Sequence, residues 1–328
     1  MCIICAGKYH GKKEIDCHRC PNVIEIPVIP GLKKLDCYGC INLAKISNIP
    51  GLENLRCPNT NLTNISAISS LEELWCYNCP NLKAIPAFPN LKRLFCYDCS
   101  NLKEIPVIPG LKELNCSDCT SLINIPIIPA LKQLKCAGCP SLTNIPIIPG
   151  LEELYCWDCI SITEIPAIAG LKILRCGVCI NLTKISFLPN LKCLDCSACT
   201  NLTTIPNIPG LKKIVCWDCS SLKEIPNIYD LTFLDCFMCR NLIRIPSRPS
   251  TDYAYFECEE CPWIERSSDF KNNLTKLIIL QKYSKKYHKL KICKRWIQSD
   301  HFREWYYHPD GPGGVKAVLR LVKKTKNE

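Results

Sequence analysis

The sequence predicts an α/β-type solenoid: short parallel strands stacked coil on coil, extended return legs behind them, and a small α-helical cap at the C-terminal end. Three observations lead there. A cysteine that opens a C-x-x-C pair, or stands where one would open, recurs at 17, 37, 57, 76, 96, 116, 136, 156, 176, 196, 216, 236 and 258, a step of 20 residues with one of 19 and a last one of 22. Just before each, Leu-x-Cys (Leu154 and Cys156, for instance) alternates with variable positions, the period-two signature of a strand. After each comes an IPxIPG half whose two prolines exclude a regular helix and favour an extended, polyproline-like leg. One such coil cannot bury its own apolar face, so neighbouring copies must share a core.

Taken in order, residues 1–11 form a lead-in, 12–262 hold thirteen copies of the repeat, and 263–328 form the cap. The copy from Leu111 reads LKELNCSDCTSLINIPIIPA and the copy from Leu151 reads LEELYCWDCISITEIPAIAG, giving the consensus LxxLxCxxCxxLxxIPxIPG. Each copy is a strand, a turn and a return leg that turns again at the glycine. At about 4.8 Å per strand, thirteen coils span on the order of 60 Å. The stretch SSDFKNNLTKLIILQKYSKKYHKLKICKRWIQ is expected to be helical, starting at Ser268 or Asp269, with Leu274, Leu277, Ile278, Tyr283, Tyr287 and Leu290 near helical spacing. Its plain role is to cover the apolar end of the stack. HPDGPGG, His308 to Gly314, is expected to be an irregular turn, and its glycines lack the spacing of a phosphate-binding loop.

The segment LxxLxCxxCxxL resembles the conserved segment of leucine-rich repeats, in the variant with cysteine at the ninth place. The 20-residue length and the IPxIP leg are similar to the short bacterial-type class. The third copy fits too: LENLRCPNTNL, Leu52 to Leu62, has one residue and one cysteine fewer and puts Thr60 in the ninth place. The resemblance implies a horseshoe with its strands on the concave face and the extended legs on the convex side. It also implies a protein-binding role. The ending REWYYHPDGPGGVKAVLRLVKK is similar to C-termini of uncharacterised repeat proteins of giant DNA viruses, which would make the setting a host cell.

Hydrophobic content of 47% fits a folded chain, whereas 29 cysteines is near the level of small disulfide scaffolds. The opening MCIICAGKYHGKKEID has no apolar run long enough for a signal peptide, and no stretch reaches the roughly 18 apolar residues of a membrane span. A reducing, cytoplasmic setting with free thiols is therefore expected. The net charge of +11 is uneven: residues 263–328 carry 16 Lys+Arg against 6 Asp+Glu, and the rest carry 25 against 24. Attraction to acidic partners is thus expected from the C-terminal segment. There, lysines interleaved with Tyr283, Tyr287, Trp296, Trp305 and Tyr306 would suit nucleic acid, and LQKYSKKYHK partly resembles a calmodulin-binding IQ motif.

Two uses of the cysteines compete. Cys20, Cys37 and Cys40 give C-x16-C-x2-C, inside the window that flags zinc. The alternative is a packing role, with the sixth-place cysteine in the core and the ninth-place cysteine donating an S–H bond to a neighbouring carbonyl. An even stack offers no discrete sets of four, thirteen copies do not pair off, and Thr60 replaces a cysteine without breaking the repeat. Packing is the expectation; a zinc- or redox-responsive protein is the alternative. Cys193, in the third place of its copy, is expected to be an accessible thiol. Cys293 sits among basic residues in KICKRW, but no third group completes a nucleophile. No enzyme, cofactor or metal is therefore expected.

Places three, five and seven of each copy should project from the sheet face, where freely varying residues carry function. Aromatics concentrate there at Trp75, Tyr77, Phe95 and Tyr97, return at Tyr155 and Trp157, and again at Trp217. Aspartates at place eight, Asp98 and Asp158 among them, edge the same side. Aromatics bordered by charge are the composition of binding hot spots, although strand-favouring aromatics also simply pack on one another. These nine residues are the candidate partner site.

Overall fold

The computed structural model describes residues 2–243, 255–257 and 261. The expected helical cap, with Cys293 and the HPDGPGG segment, lies outside the described residues. Within them the chain is a parallel β-solenoid with no α-helix. Thirteen three-residue strands, from Glu14–Asp16 to Tyr255–Glu257, form one sheet in strict chain order. Every pair is parallel and in register by repeat place, as in Leu74 opposite Leu94 and Leu134 opposite Leu154. No helix is found among the described residues, so the α component expected of the fold is not seen there.

The reason is in the side chains of one coil. Leu111, Leu114, Cys116, Cys119, Leu122, Ile125 and Ile128 are all buried, and the places between them are not. These are the consensus Leu, Cys and Ile positions, and they repeat from coil to coil as one continuous core. Phe88 fills the isoleucine place of its coil and is fully buried. The prolines that follow the buried isoleucines face outward, where their missing N–H leaves nothing unpaired in the core. Short bridges tie the return legs, as between Glu25–Ile26 and Lys45–Ile46 and between Glu164–Ile165 and Lys184–Ile185.

Hydrogen bonding along the stack outlasts the three strand residues. Lys112 C=O accepts from both Lys132 N and Gln133 N, at 2.8 and 3.2 Å, before the strand. Beyond it, Cys116 N reaches Lys135 O and Asp118 N reaches Ala137 O, at 2.8 and 2.7 Å. Place eight keeps this going by adopting a left-handed backbone in twelve consecutive coils: Arg19, Gly39, Asn59, Asn78, Asp98, Asp118, Gly138, Asp158, Val178, Ala198, Asp218 and Met238, all at φ between 51° and 67°. The expected turn glycine is less demanding. Gly31, Gly51 and Gly210 are left-handed, but Gly110, Gly150 and Gly170 are not, and Asn90 and Ala130 hold the same place. The conformation that favours Gly, Asn or Asp lies just after the strand instead, and eight of its twelve occupants are of those types.

Exposed ion pairs join equivalent places of successive coils, such as Lys33–Glu53 at 2.6 Å and Lys92–Glu72 at 2.8 Å. Among the described residues no helix is long and apolar enough to cross a membrane.

Candidate functional site

Strand alternation puts places three and five on the outer face of the sheet, and place seven follows on the same side. Four of the candidate aromatics meet there in a two-by-two block. Trp75 stacks on Phe95 with ring centroids 4.2 Å apart, and Tyr77 stacks on Tyr97 at 4.4 Å with planes only 6° apart. Trp75 meets Tyr77 edge-on at 6.4 Å. All four rings are half-buried, because each covers part of its neighbour.

Charge frames the block. Arg56 lies over the Trp75 ring, 4.8 Å from its centroid. Trp75 Nε1 donates to Glu73 Oε1 at 2.6 Å, and Arg93 Nη2 donates to Glu73 Oε2 at 2.6 Å. Glu73 is only 7% exposed, so its carboxylate is held by two donors rather than by water. Sequence reasoning did not single out Arg56, Glu73 or Arg93. The signal was present as opposite charges, Glu73 and Arg93, at the same place of adjacent coils, which the register sets side by side.

The other candidates do not join this block. Tyr155 and Trp157 lie three coils on, about 14 Å away at one strand spacing per coil. Tyr155 is flanked by Lys135 and Arg175, 5.7 and 5.6 Å from its ring, and its hydroxyl donates to Glu153 at 3.0 Å. Trp157 lies over Gly177, which leaves room for it, and is 49% exposed. Trp217 stands three coils further along, also exposed. Asp98 and Asp158 are the left-handed residues of their coils, at φ 59° and 55°, which is a backbone reason for aspartate independent of any partner. Burial, with repulsion from Asp98 and Asp158, raises the Asp118 carboxyl above its usual range. A further pair, Phe233 on Tyr255 at 4.8 Å with Lys213 beside it, stacks at place three, which the sequence reading puts on the same face without singling these rings out.

The return legs carry an exposed apolar row of their own. Val107, Ile127, Ile147 and Phe187 occupy one place of their coils, and each is more than half exposed. Pro106, Pro126 and Pro146 precede three of these residues and Ser186 the fourth, while the apolar residues on either side, such as Ile105 and Ile108 or Ile185 and Leu188, go into the core.

The ninth-place cysteines form the ladder that packing requires. Cys40 Sγ donates to Cys17 O at 2.9 Å, Cys99 to Cys76 O at 3.1 Å, Cys159 to Cys136 O at 3.0 Å and Cys239 to Cys216 O at 2.9 Å. Thr60 fills the ninth place with a different bond: its hydroxyl donates to Cys57 O of its own coil at 2.8 Å and meets Cys79 Sγ at 3.2 Å. In the sixth-place column, burial pushes the Cys57 and Cys116 thiols well above their ordinary range. Cys193 is half-buried rather than open, and burial raises its thiol as well. The described cysteines are all free thiols. Among the described residues one group of three metal-ligand side chains converges: Cys2, Cys5 and Cys20, whose sulfurs all lie within 4.8 Å of one another.

No family model matches this chain, and no curated protein does. Solved structures are similar to it. A leucine-rich-repeat protein from Bacteroides ovatus aligns over 73% of each chain with 18% identity and a TM-score of 0.52. A leucine-rich-repeat protein of Leptospira interrogans covers 66% of this chain and 72% of its own at 14% identity and a TM-score of 0.24. YopM from Yersinia enterocolitica covers 76% and 91% at 15% identity and a TM-score of 0.22. The first of these shows that the solenoid is of the leucine-rich-repeat fold.

Proposed function

We propose that this chain is a non-catalytic scaffold that holds a protein partner on the sheet face of its solenoid. The observation that carries the proposal is the block of Trp75, Phe95, Tyr77 and Tyr97, framed by Arg56 and by the Glu73–Arg93 pair. Stacked rings held by fixed charges lose little conformational freedom on binding, and Trp, Tyr and Arg are the residues that dominate interface energetics. The fold points the same way, since solenoids present long open surfaces. Tyr155, Trp157 and Trp217, with Asp98 and Asp158 at the edge, extend the proposed footprint along the stack. Residues 12–262 are the binding module in this proposal, 1–11 its lead-in and 263–328 its basic cap. A host-cell cytoplasm is the proposed setting, and it is supported by the C-terminal resemblance alone.

Double substitution Trp75→Ala and Phe95→Ala tests the assignment. Capture from cytoplasmic extract by the intact chain should yield a protein band that the double variant fails to retain, while the two chains unfold at similar temperatures. Equal capture by a folded double variant would remove the aromatic block from the proposal.

A further inference from the structure

The cysteine ladder has an end, and its chemistry changes there. From the second coil onward each ninth-place sulfur donates to the carbonyl of the sixth-place cysteine one coil before, as Cys40 does to Cys17 O. Cys20 is the first ninth-place cysteine, and no coil precedes it. What faces it is the lead-in turn, closed by Ala6 N on Cys2 O at 3.0 Å, which carries Cys2 and Cys5. Three sulfurs from two separate segments therefore meet where the stack would otherwise offer a carbonyl.

Their spacing distinguishes the uses open to them. Cys5 Sγ and Cys20 Sγ are 3.6 Å apart. A disulfide needs about 2.05 Å, and it would join two sulfurs and leave the third unused. Tetrahedral zinc with bonds of about 2.3 Å to sulfur sets neighbouring thiolates about 3.8 Å apart. The Cys5–Cys20 separation is close to the second figure, and Cys2 Sγ lies within 4.8 Å of both. An open hollow beside Cys5, lined by Tyr9, Asn22, Ile24 and Glu25, leaves room for a fourth ligand.

We infer that Cys2, Cys5 and Cys20 form a site for one thiophilic cation of the zinc type, three thiolates from the chain and the fourth ligand from solvent, clamping the lead-in onto the first coil. Loading the site releases the thiol protons as the sulfur–metal bonds form, and no oxidant takes part. The fourth position stays with solvent because no other described His, Cys, Asp or Glu joins the group. The site is independent of the sheet-face proposal and lies on the first turn of the stack, three coils before Trp75.

The full chain, prepared under reductant and stripped with chelator, is to be titrated anaerobically with Co(II) as the probe, then with Zn(II). The expected result is thiolate-to-cobalt charge-transfer absorption that saturates at about one equivalent, displaced by zinc, with intensity for about three thiolates. Cys5→Ser should weaken binding by more than about tenfold, and Cys193→Ser should leave it unchanged. Zinc should raise the unfolding temperature of the parent chain and not that of Cys5→Ser. Because Cys5 stands at the exposed end of the stack, a folded variant is available for the comparison. No saturable absorption, equal binding by Cys5→Ser, or a Cys5–Cys20 disulfide in protein whose thiols were blocked at lysis would each overturn the inference.

Discussion

Cys40 and Cys20 hold the same place in successive coils and meet different worlds. Cys40 finds a coil before it and donates to Cys17 O. Cys20 finds Cys5 Sγ at 3.6 Å instead. In the interior of the stack cysteine acts as a small apolar residue with one weak hydrogen bond; at the end of the stack the same residue joins a cluster of ligand atoms. The difference teaches that in a solenoid a side chain's chemistry is decided by the neighbour one coil away, more than by its own sequence motif.

The largest expected effect separates interior from end by packing. Leu134→Ala, at a fully buried place with a coil on either side, should cost about 2 to 5 kcal/mol in denaturant unfolding. Ile4→Ala, which covers the core from one side only, should cost less than half of that. Equal costs would break the comparison.

Next in size is thiol reactivity. Alkylation at pH 8 without metal should label the half-buried Cys2 first, whereas Cys5, whose thiol burial and hydrogen bonds to Cys2 and Cys20 push up to about 12, should lag behind it. The buried Cys57 and Cys116 thiols, raised above their ordinary range, should react more than about a hundredfold more slowly, waiting on local opening. The sign follows from the shifts: a raised thiol stays protonated at pH 8, and only the thiolate attacks. Mass mapping of the labelled peptides reads the order directly, and fast labelling of Cys116 would deny that the interior is closed.

A smaller effect sharpens the picture of the interior. Val178 holds the left-handed place of its coil at φ 60°, where a β-branched side chain is strained. Val178→Asn should therefore stabilise the fold by about 1 kcal/mol. A loss of stability would mean that Val178, which lies at intermediate burial, contributes more by packing than its backbone costs.

Much of the fold was legible in the sequence. The Leu, Cys and Ile places of the consensus are the buried places of the structure, and Leu-x-Cys is the end of the strand, because burial in a stack follows a repeat length that can be counted. The ladder at the ninth place was legible for the same reason, with Thr60 as its natural test. The turn was read at the glycine, since IPxIPG draws the eye; the row Gly39, Asn59, Asn78, Asp98, Asp118 and Gly138 held the better signal for left-handed backbone. The aspartates in that row read as a charged rim in the sequence, whereas their left-handed φ gives them a backbone role. The aromatic block was visible as a cluster of letters, but the Glu73 carboxylate beneath it was not, because its burial depends on Trp75 and Arg93 closing over it.

By itself the sequence determined the coil, its length, the residues that go inside and the side that varies, because one repeat faces another just like it and the same contacts recur. Only the tertiary structure decided which rings stack, which place bends left-handed and what Cys20 meets. Those outcomes depend on specific pairs brought together across coils and on the end of the stack, where the repetition that made the rest readable stops.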